Sequence, residues 1–357
     1  MTPVARYGEL ASRNLKRKGG NMMRKKLIHT VIAVTVSAFV FFSFMGVCKA
    51  APKKITLKAV SAWPKNHPPV ADDYLPYIKN LNKRLQQKYP GQLEIKYLGG
   101  PEVIPTRDQP EALRAGTVEL YFGTDAYYAG IAPSANASKL TQITSWEERA
   151  RGANAIFDEI HRKKLNSTYL GRLGSEIPFQ LYLNVEVKTP DDLKGLRVRV
   201  SPMYIDFMKA LSVTPIETKP GDVYQALERG VVDGLCWPFF GIRHWGWHEV
   251  VKYVVGPSFY KVAHPILVNV DKWNQIPEHL QKVLLDVLME DERTCVTRDF
   301  EKIKNERELL KKAGMKFIDF SPSDSKRYYD LAYSSGWEAQ IKKAPHYSEK
   351  LRKLLTK

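Results

Sequence analysis

The chain has 357 residues, 44% hydrophobic and 26% charged, which excludes a disordered tail, a collagen-like repeat and a mini-protein needing disulfide staples. At roughly 100 to 200 residues per domain, two domains are expected. The formal charge of +17 is unevenly spread: nine of the 55 Lys and Arg and one of the 38 acids fall in residues 1–50, leaving +9 on residues 51–357.

Met22-Met23-Arg24-Lys25-Lys26 forms a short positive segment, and the uncharged, Val-, Ile- and Phe-rich run Leu27 to Val47 follows it. Cys48-Lys49-Ala50 then places small residues at −3 and −1, so cleavage with a mature start near Ala51 and export to the periplasm are expected. An uncleaved anchor is the alternative, since ~20 apolar residues can cross a bilayer. Lipidation of Cys48 fits less well after Val47. Translation can start at Met1, Met22 or Met23. Export argues against nucleic acid as a partner, as does the lack of a clustered basic helix in the mature chain.

After the leader, Ile55 to Val60 alternates like a strand, and Asp72 to Lys88 carries Tyr74, Ile78, Leu81 and Leu85 at helical spacing. Leu93 to Leu98 reads as a second strand, Gln109 to Ala115 as a short helix closed by Gly116, and Thr117 to Phe122 as a third strand. This is an α/β pattern. The segment Glu111–Glu119, helix then Gly116 then strand then acid, recurs 114 residues later as Gln225–Asp233 with Gly230 at the turn. Between the copies, Gly195 to Val200 reads as a strand and Pro202 to Leu211 as a helix. Pro277 to Lys312 stays helical without an internal Pro or Gly, about 54 Å at ~1.5 Å per residue, long enough to brace two lobes. Ser321-Pro322 opens a C-terminal helical region.

The run Lys188-Thr189-Pro190-Asp191-Asp192-Leu193-Lys194-Gly195-Leu196-Arg197-Val198-Arg199, followed by Tyr204–Leu211 and Asp222–Gly234, resembles the solute-binding subunits of tripartite ATP-independent periplasmic (TRAP) transporters, the DctP-type family. The resemblance covers essentially all of residues 51–357. It implies a two-lobe α/β periplasmic binding protein fold with a ligand cleft between the lobes and a long helix bracing both. Lobe I is expected over 51–176 and 265–304, and lobe II over 177–264 and 305–357. The implied function is capture of a small organic acid by lobe closure and delivery to the small and large membrane subunits of the permease, by a monomer without a cofactor.

Resemblance also implies that the second basic position of the Lys-Gly-Leu-Arg-x-Arg strand, Arg199, holds the ligand carboxylate. A guanidinium can grip a carboxylate with two donors and stays charged when partly buried. Strand alternation alone puts Arg197 and Arg199 on one face and leaves both open as structural ion-pair residues. After Gly234 the family carries either an Asn or a Glu-Trp pair; here the residues are Cys236-Trp237. A hard oxygen ligand is therefore missing and no metal is expected. Trp237, Phe239, Phe240, Trp245 and Trp247 are crowded together, with Arg243 among them as a second anion contact or cation–π partner. Most of these rings are expected in the core, with Trp237 the exception.

Loops at the carboxyl ends of strands line the cleft in such sheets. Trp63, Asn66 and His67, Glu102 and Gln109, and Tyr121, Thr124 and Tyr127 are candidates on that ground; Phe179 and Gln180 are candidates at the lobe crossover. An enzyme, such as a periplasmic hydrolase, is the competing class, but no G-x-S-x-G, H-E-x-x-H or phosphate loop is present. His244 and His248 could share a helix face, with no third metal ligand evident. Cys236 and Cys295 either pair or sit as buried thiols.

Overall fold

The computed structural model describes residues 54–357. The export signal expected before Ala51 lies outside them. The chain opens with β1 (Ile55–Ser61), a π-helical stretch Pro69–Tyr74 that runs into α1 (Leu75–Lys88), and β2 (Leu93–Gly99). Then come α2 (Gln109–Arg114), β3 (Leu120–Phe122), α3 (Ser145–Arg151), α4 (Ala153–Leu165), β4 (Ser167–Leu173) and β5 (Pro178–Leu183). The middle of the chain holds β6 (Arg197–Val200), α5 (Ile205–Ala210), β7 (Thr214–Glu217), α6 (Val223–Glu228), β8 (Gly234–Pro238), β9 (Tyr253–Lys261) and β10 (His264–Asn269). It ends with α7 (Val270–Trp273), α8 (Glu278–Lys312), β11 (Lys316–Ile318), α9 (Pro322–Lys343) and α10 (Pro345–Leu355).

Two sheets result, with strand orders β2-β1-β3-β10-β4 and β11-β9-β5-β8-β6-β7. In the first, β1 is parallel to β2 and β3, and β10 runs antiparallel between β3 and β4. In the second, β6 is parallel to β7 and β8, while β5 runs antiparallel to β8 and β9. The chain therefore changes sheets between β4 and β5 and returns between β9 and β10.

The helix α8 crosses at the same seam. Leu280, Val283, Leu284, Val287 and Leu288 on its first half join the core under the first sheet, whereas Leu310 packs with Leu235 and Met315 under the second. Its middle buries carboxylates instead of apolar groups. Glu292 accepts the Arg172 N–H at 3.1 Å and Asp299 accepts the Glu176 N–H at 3.2 Å, satisfying backbone donors where the chain leaves the sheet. Arg149 pairs with Glu292 at 2.6 Å.

The C-terminal segment departs from expectation. Residues 305–357 are expected in lobe II, yet α10 packs against α3, α4 and the turn Pro133–Leu140 of the first lobe. Its Leu351 and Leu355 need an apolar cover, which the first-lobe core supplies, and Tyr347 Oη bonds Glu159 at 3.0 Å. Likewise β10 begins at His264, not after it. The third and eighth strands also start later than the sequence suggests. The N–H groups of Thr117 and Val118 bond back to Ala112 O, and those of Val231 and Val232 bond back to Ala226 O, so each chain finishes its helical turn before it joins the sheet. Cys236 and Cys295 are both free, buried thiols.

Candidate functional site

Between the two sheets lies a cavity of about 630 Å³. The loops after β1, β2, β3, β6, β7 and β8 all reach it, because a strand followed by a turn exposes its last residues at the sheet's carboxyl edge. Phe179 and His264 arrive differently: β5 and β10 run antiparallel to their neighbours, so their first residues stand at that same edge. Phe179, for instance, is opposite Pro238 at the end of β8.

Arg199 lies on the cavity wall, 2% exposed. Its Nε and Nη2 both donate to the Thr218 carbonyl, at 3.2 and 2.7 Å, and its carbon stands 5.4 Å from the Trp237 ring centroid. Nη1 is buried without a hydrogen-bond partner among the described residues. Burial pulls the guanidinium below its ordinary pKa, against the opposing influence of Tyr204 and Tyr127. Arg197, on the same face of β6, is spent on Asp233 at 2.7 Å. Buried Arg172 is likewise matched by Glu148 through two bonds, of 2.9 and 2.8 Å. Arg199 thus combines burial, a free donor and the lack of a carboxylate partner among the described residues.

Trp63, Thr124, Phe179, Arg199, Trp237 and Phe240 come together on this wall. Three other sequence candidates do not. Glu102 is exposed and closes its own turn, accepting the Gly100 N–H at 2.7 Å. Tyr121 is fully buried in the first lobe, packed at 6.3 Å against Tyr128, because its sheet is covered on both faces. Arg243 turns to Glu306 of the bracing helix at 3.3 Å. Gln109 and Gln180 are also structural: the first bonds Ser61 O and Ile104 O, and the second bridges β5 to Val255 O and Ser258. Asn66 lies on a shallow outer groove beside Glu102, while His67 and Tyr127 line the cavity. Of the aromatic run, Trp237, Phe240 and Trp245 face the cavity, and Phe239 and Trp247 fill the core.

Sequence reasoning missed Tyr204, Ser201, Met203, Thr218, Arg107, Glu217 and His264. Recognition of Thr214–Glu217 as a strand would have brought in its following loop, but Pro215 masks it. At the cavity mouth, Arg107 of the first lobe and Glu217 of the second approach to 3.7 Å, with Arg107 over Tyr127 at 5.6 Å. His67 and His244 meet across the lobes at 5.5 Å between ring centroids. Among the described residues, no three metal-ligating side chains come together.

The model of bacterial extracellular solute-binding protein family 7, DctP, matches residues 66–334. A monocarboxylate 2-oxoacid-binding periplasmic protein of Nostoc is 23% identical over 290 residues, covering 78% of each chain. Among solved structures, a TRAP periplasmic solute-binding protein of Desulfovibrio salexigens with bound orotic acid aligns with a TM-score of 0.71 at 21% identity, covering 85% of this chain and 97% of that one. One of Pseudomonas putida F1 with bound D-glucuronate aligns at 0.68 and 21%, with the same coverage. The lobes, the sheet-edge cleft and the matched motifs are accounted for together: the fold is that of the TRAP periplasmic solute-binding proteins, and the chain belongs to family 7 of the bacterial extracellular solute-binding proteins, DctP, a family of binding proteins and not of enzymes.

Proposed function

We propose that this protein captures a small organic acid with a flat, largely apolar body, holding its carboxylate on Arg199. The observation that carries the reading is a buried arginine whose Nη1 has no partner among the described residues, in a cavity with a largely apolar lining. An unbalanced buried charge is costly, and a ligand carboxylate with two-donor geometry offsets it. Trp63, Tyr127, Phe179, Tyr204, Trp237 and Phe240 give broad apolar faces, and the hydroxyls of Thr106, Thr124, Ser201 and Thr218 lie among them. Such broad carbon faces suit an aryl or alkyl acid better than a polyhydroxy sugar acid, whose hydroxyls lose water wherever they meet a ring face. The relatives with orotic acid and D-glucuronate span these two ligand types.

The protein acts in the periplasm as a monomer, exported by the segment before Ala51, and passes its ligand to the small and large membrane subunits of a permease. Thermal-shift screening of organic acids tests the anchor. A ligand at 100 times its dissociation constant should add about 2.7 kcal/mol of stability. The gain is expected to vanish in Arg199→Ala and to survive in Arg84→Ala, whose ion pair with Glu290 lies on the outer helices. Unchanged stabilisation of Arg199→Ala would rule the anchor out.

A further inference from the structure

We propose that the first-lobe end of the cavity is an uncharged hydrogen-bonding subsite, built by His67 and His264 around Trp63, which selects acids whose far end carries a neutral hydroxyl, oxo or amide group. It rests on Arg199 as the carboxylate anchor and specifies the opposite end of the ligand.

The two imidazoles come from separate parts of the chain, one after β1 and the other at the start of β10, and both line the cavity. Their ring centroids lie 5.6 and 4.9 Å from the Trp63 ring. They are 4% and 6% exposed, and Nδ1 of each is buried without a hydrogen-bond partner among the described residues. Nδ1 of His264 stands 3.1 Å from where a Cβ on Gly174 would be, so that edge packs on the crossover and the Nε2 edge is left to the cavity. Both rings line the cavity, so a ligand atom there can pair the unpartnered Nδ1 of His67 and the cavity-side Nε2 edge of His264.

Charge decides what that partner is. Burial holds both imidazoles near a pKa of about 3; His244 pushes His67 the same way, and His67, Lys302 and Arg172 do so for His264. Both rings are therefore neutral near pH 7, each with one donor and one acceptor. Such a pair matches a hydroxyl, oxo or amide group and cannot balance a second carboxylate. The anchor and the imidazoles belong to opposite sheets. Trp237 to Trp245 at 6.5 Å and Trp245 to His67 at 6.0 Å lie between them, leaving an aromatic stretch for the ligand body. A ligand with both polar ends hydrogen-bonds both lobes, whereas one with only the carboxylate hydrogen-bonds the second lobe alone.

Three probes with a common body test this by calorimetry on the full chain: 3-phenylpropionate, its 4-hydroxy derivative and its 4-carboxy derivative. The phenol should bind about tenfold tighter than the phenyl acid, and the diacid more weakly than either. His67→Phe and His264→Phe should each shrink the ratio of phenol to phenyl-acid affinity, whatever either does to the phenyl acid itself. Since a buried substitution can unfold the chain, nitrogen-15 spectra of the wild-type imidazoles give a second readout: the phenol, and not the phenyl acid, should shift both rings. The proposal is overturned if the diacid binds tightest, if the phenol fails to bind at millimolar concentration, if the imidazoles do not shift, or if folded histidine variants keep the full preference. Arg199→Ala separates the two readings. If it weakens all three probes while the histidine variants keep the preference, only the subsite fails; if it weakens none, the anchor fails.

Discussion

Arg197 and Arg199 sit two positions apart on one face of one strand, and their surroundings give them different work. Arg197, near the start of β6, has Asp233 as both salt-bridge partner and acceptor of its backbone N–H. Arg199, near the carboxyl end, has among the described residues a carbonyl, an aromatic face and a donor with no partner. The fork geometry matters to the proposed anchor because Thr218 O takes two of its nitrogens and leaves the third for the proposed carboxylate. Arg199→Lys keeps the charge but cannot serve both partners, so an acid probe should bind about tenfold more weakly than to wild type, though better than to Arg199→Ala; wild-type affinity in calorimetry would show that charge alone suffices. A second residue makes a pH prediction. Burial, with help from Asp73, pushes the Asp299 carboxyl up to about 7, opposed by the Glu176 N–H, Lys302 and Arg298. The unfolded value is about 3.9, so the stability from this proton is complete below that and is lost as pH rises through about 7. Asp299→Asn keeps an acceptor for Glu176 and should melt higher than wild type at about pH 8, with the gap narrowing as pH falls and closing near about pH 4. A gap independent of pH would show that Asp299 is not the titrating group.

At the scale of elements, the repeat read in the sequence is a repeat of structure. Glu119 accepts the Lys58 N–H and Asp233 the Arg197 N–H, both at 2.8 Å, so each copy pins its strand to the central parallel neighbour by the same carboxylate bond. Gly116 and Gly230 turn the chain at φ +73° and +65°, in the left-handed region. A Cβ on Gly230 would meet nothing within 4 Å, and one on Gly116 would touch only Asn269 at 3.6 Å. The cost of alanine is therefore backbone strain alone, about 1 kcal/mol at each site. Urea melts of Gly116→Ala and Gly230→Ala should show similar losses with ligand affinity unchanged; a much larger loss at one site would break the equivalence. Strands β4 and β10 left no such trace in the sequence. Every residue of both is buried, so the apolar-polar alternation that marks a half-exposed strand is absent.

For the whole molecule, the relation between lobes governs ligand exchange. Arg107 and Glu217 face each other across the mouth of the cavity with side chains 61% and 50% exposed. An ion pair so hydrated adds at most about 1 kcal/mol, too little to matter for folding but enough to slow opening over a bound ligand. Arg107→Ala should raise the dissociation rate of an acid probe about threefold in stopped-flow at low salt, with the difference fading as ionic strength rises and the melting temperature unaltered. A salt-independent effect would place its cause elsewhere, for example in the lost contact with Tyr127.

Taken by itself, the sequence determined the α/β class, the long bracing helix, the duplicated helix–glycine–strand unit and the family motif around Arg199, because periodicity, turn residues and local spacing are properties of neighbours in the chain. Only the tertiary structure paired Arg197 with Asp233, removed Glu102, Tyr121 and Arg243 from the cavity wall, and brought Tyr204, His264 and Thr218 onto it. Those outcomes depend on which strands run antiparallel and where the chain changes sheets. Burial and pairing follow from contacts between residues far apart in sequence, and no local pattern encodes them.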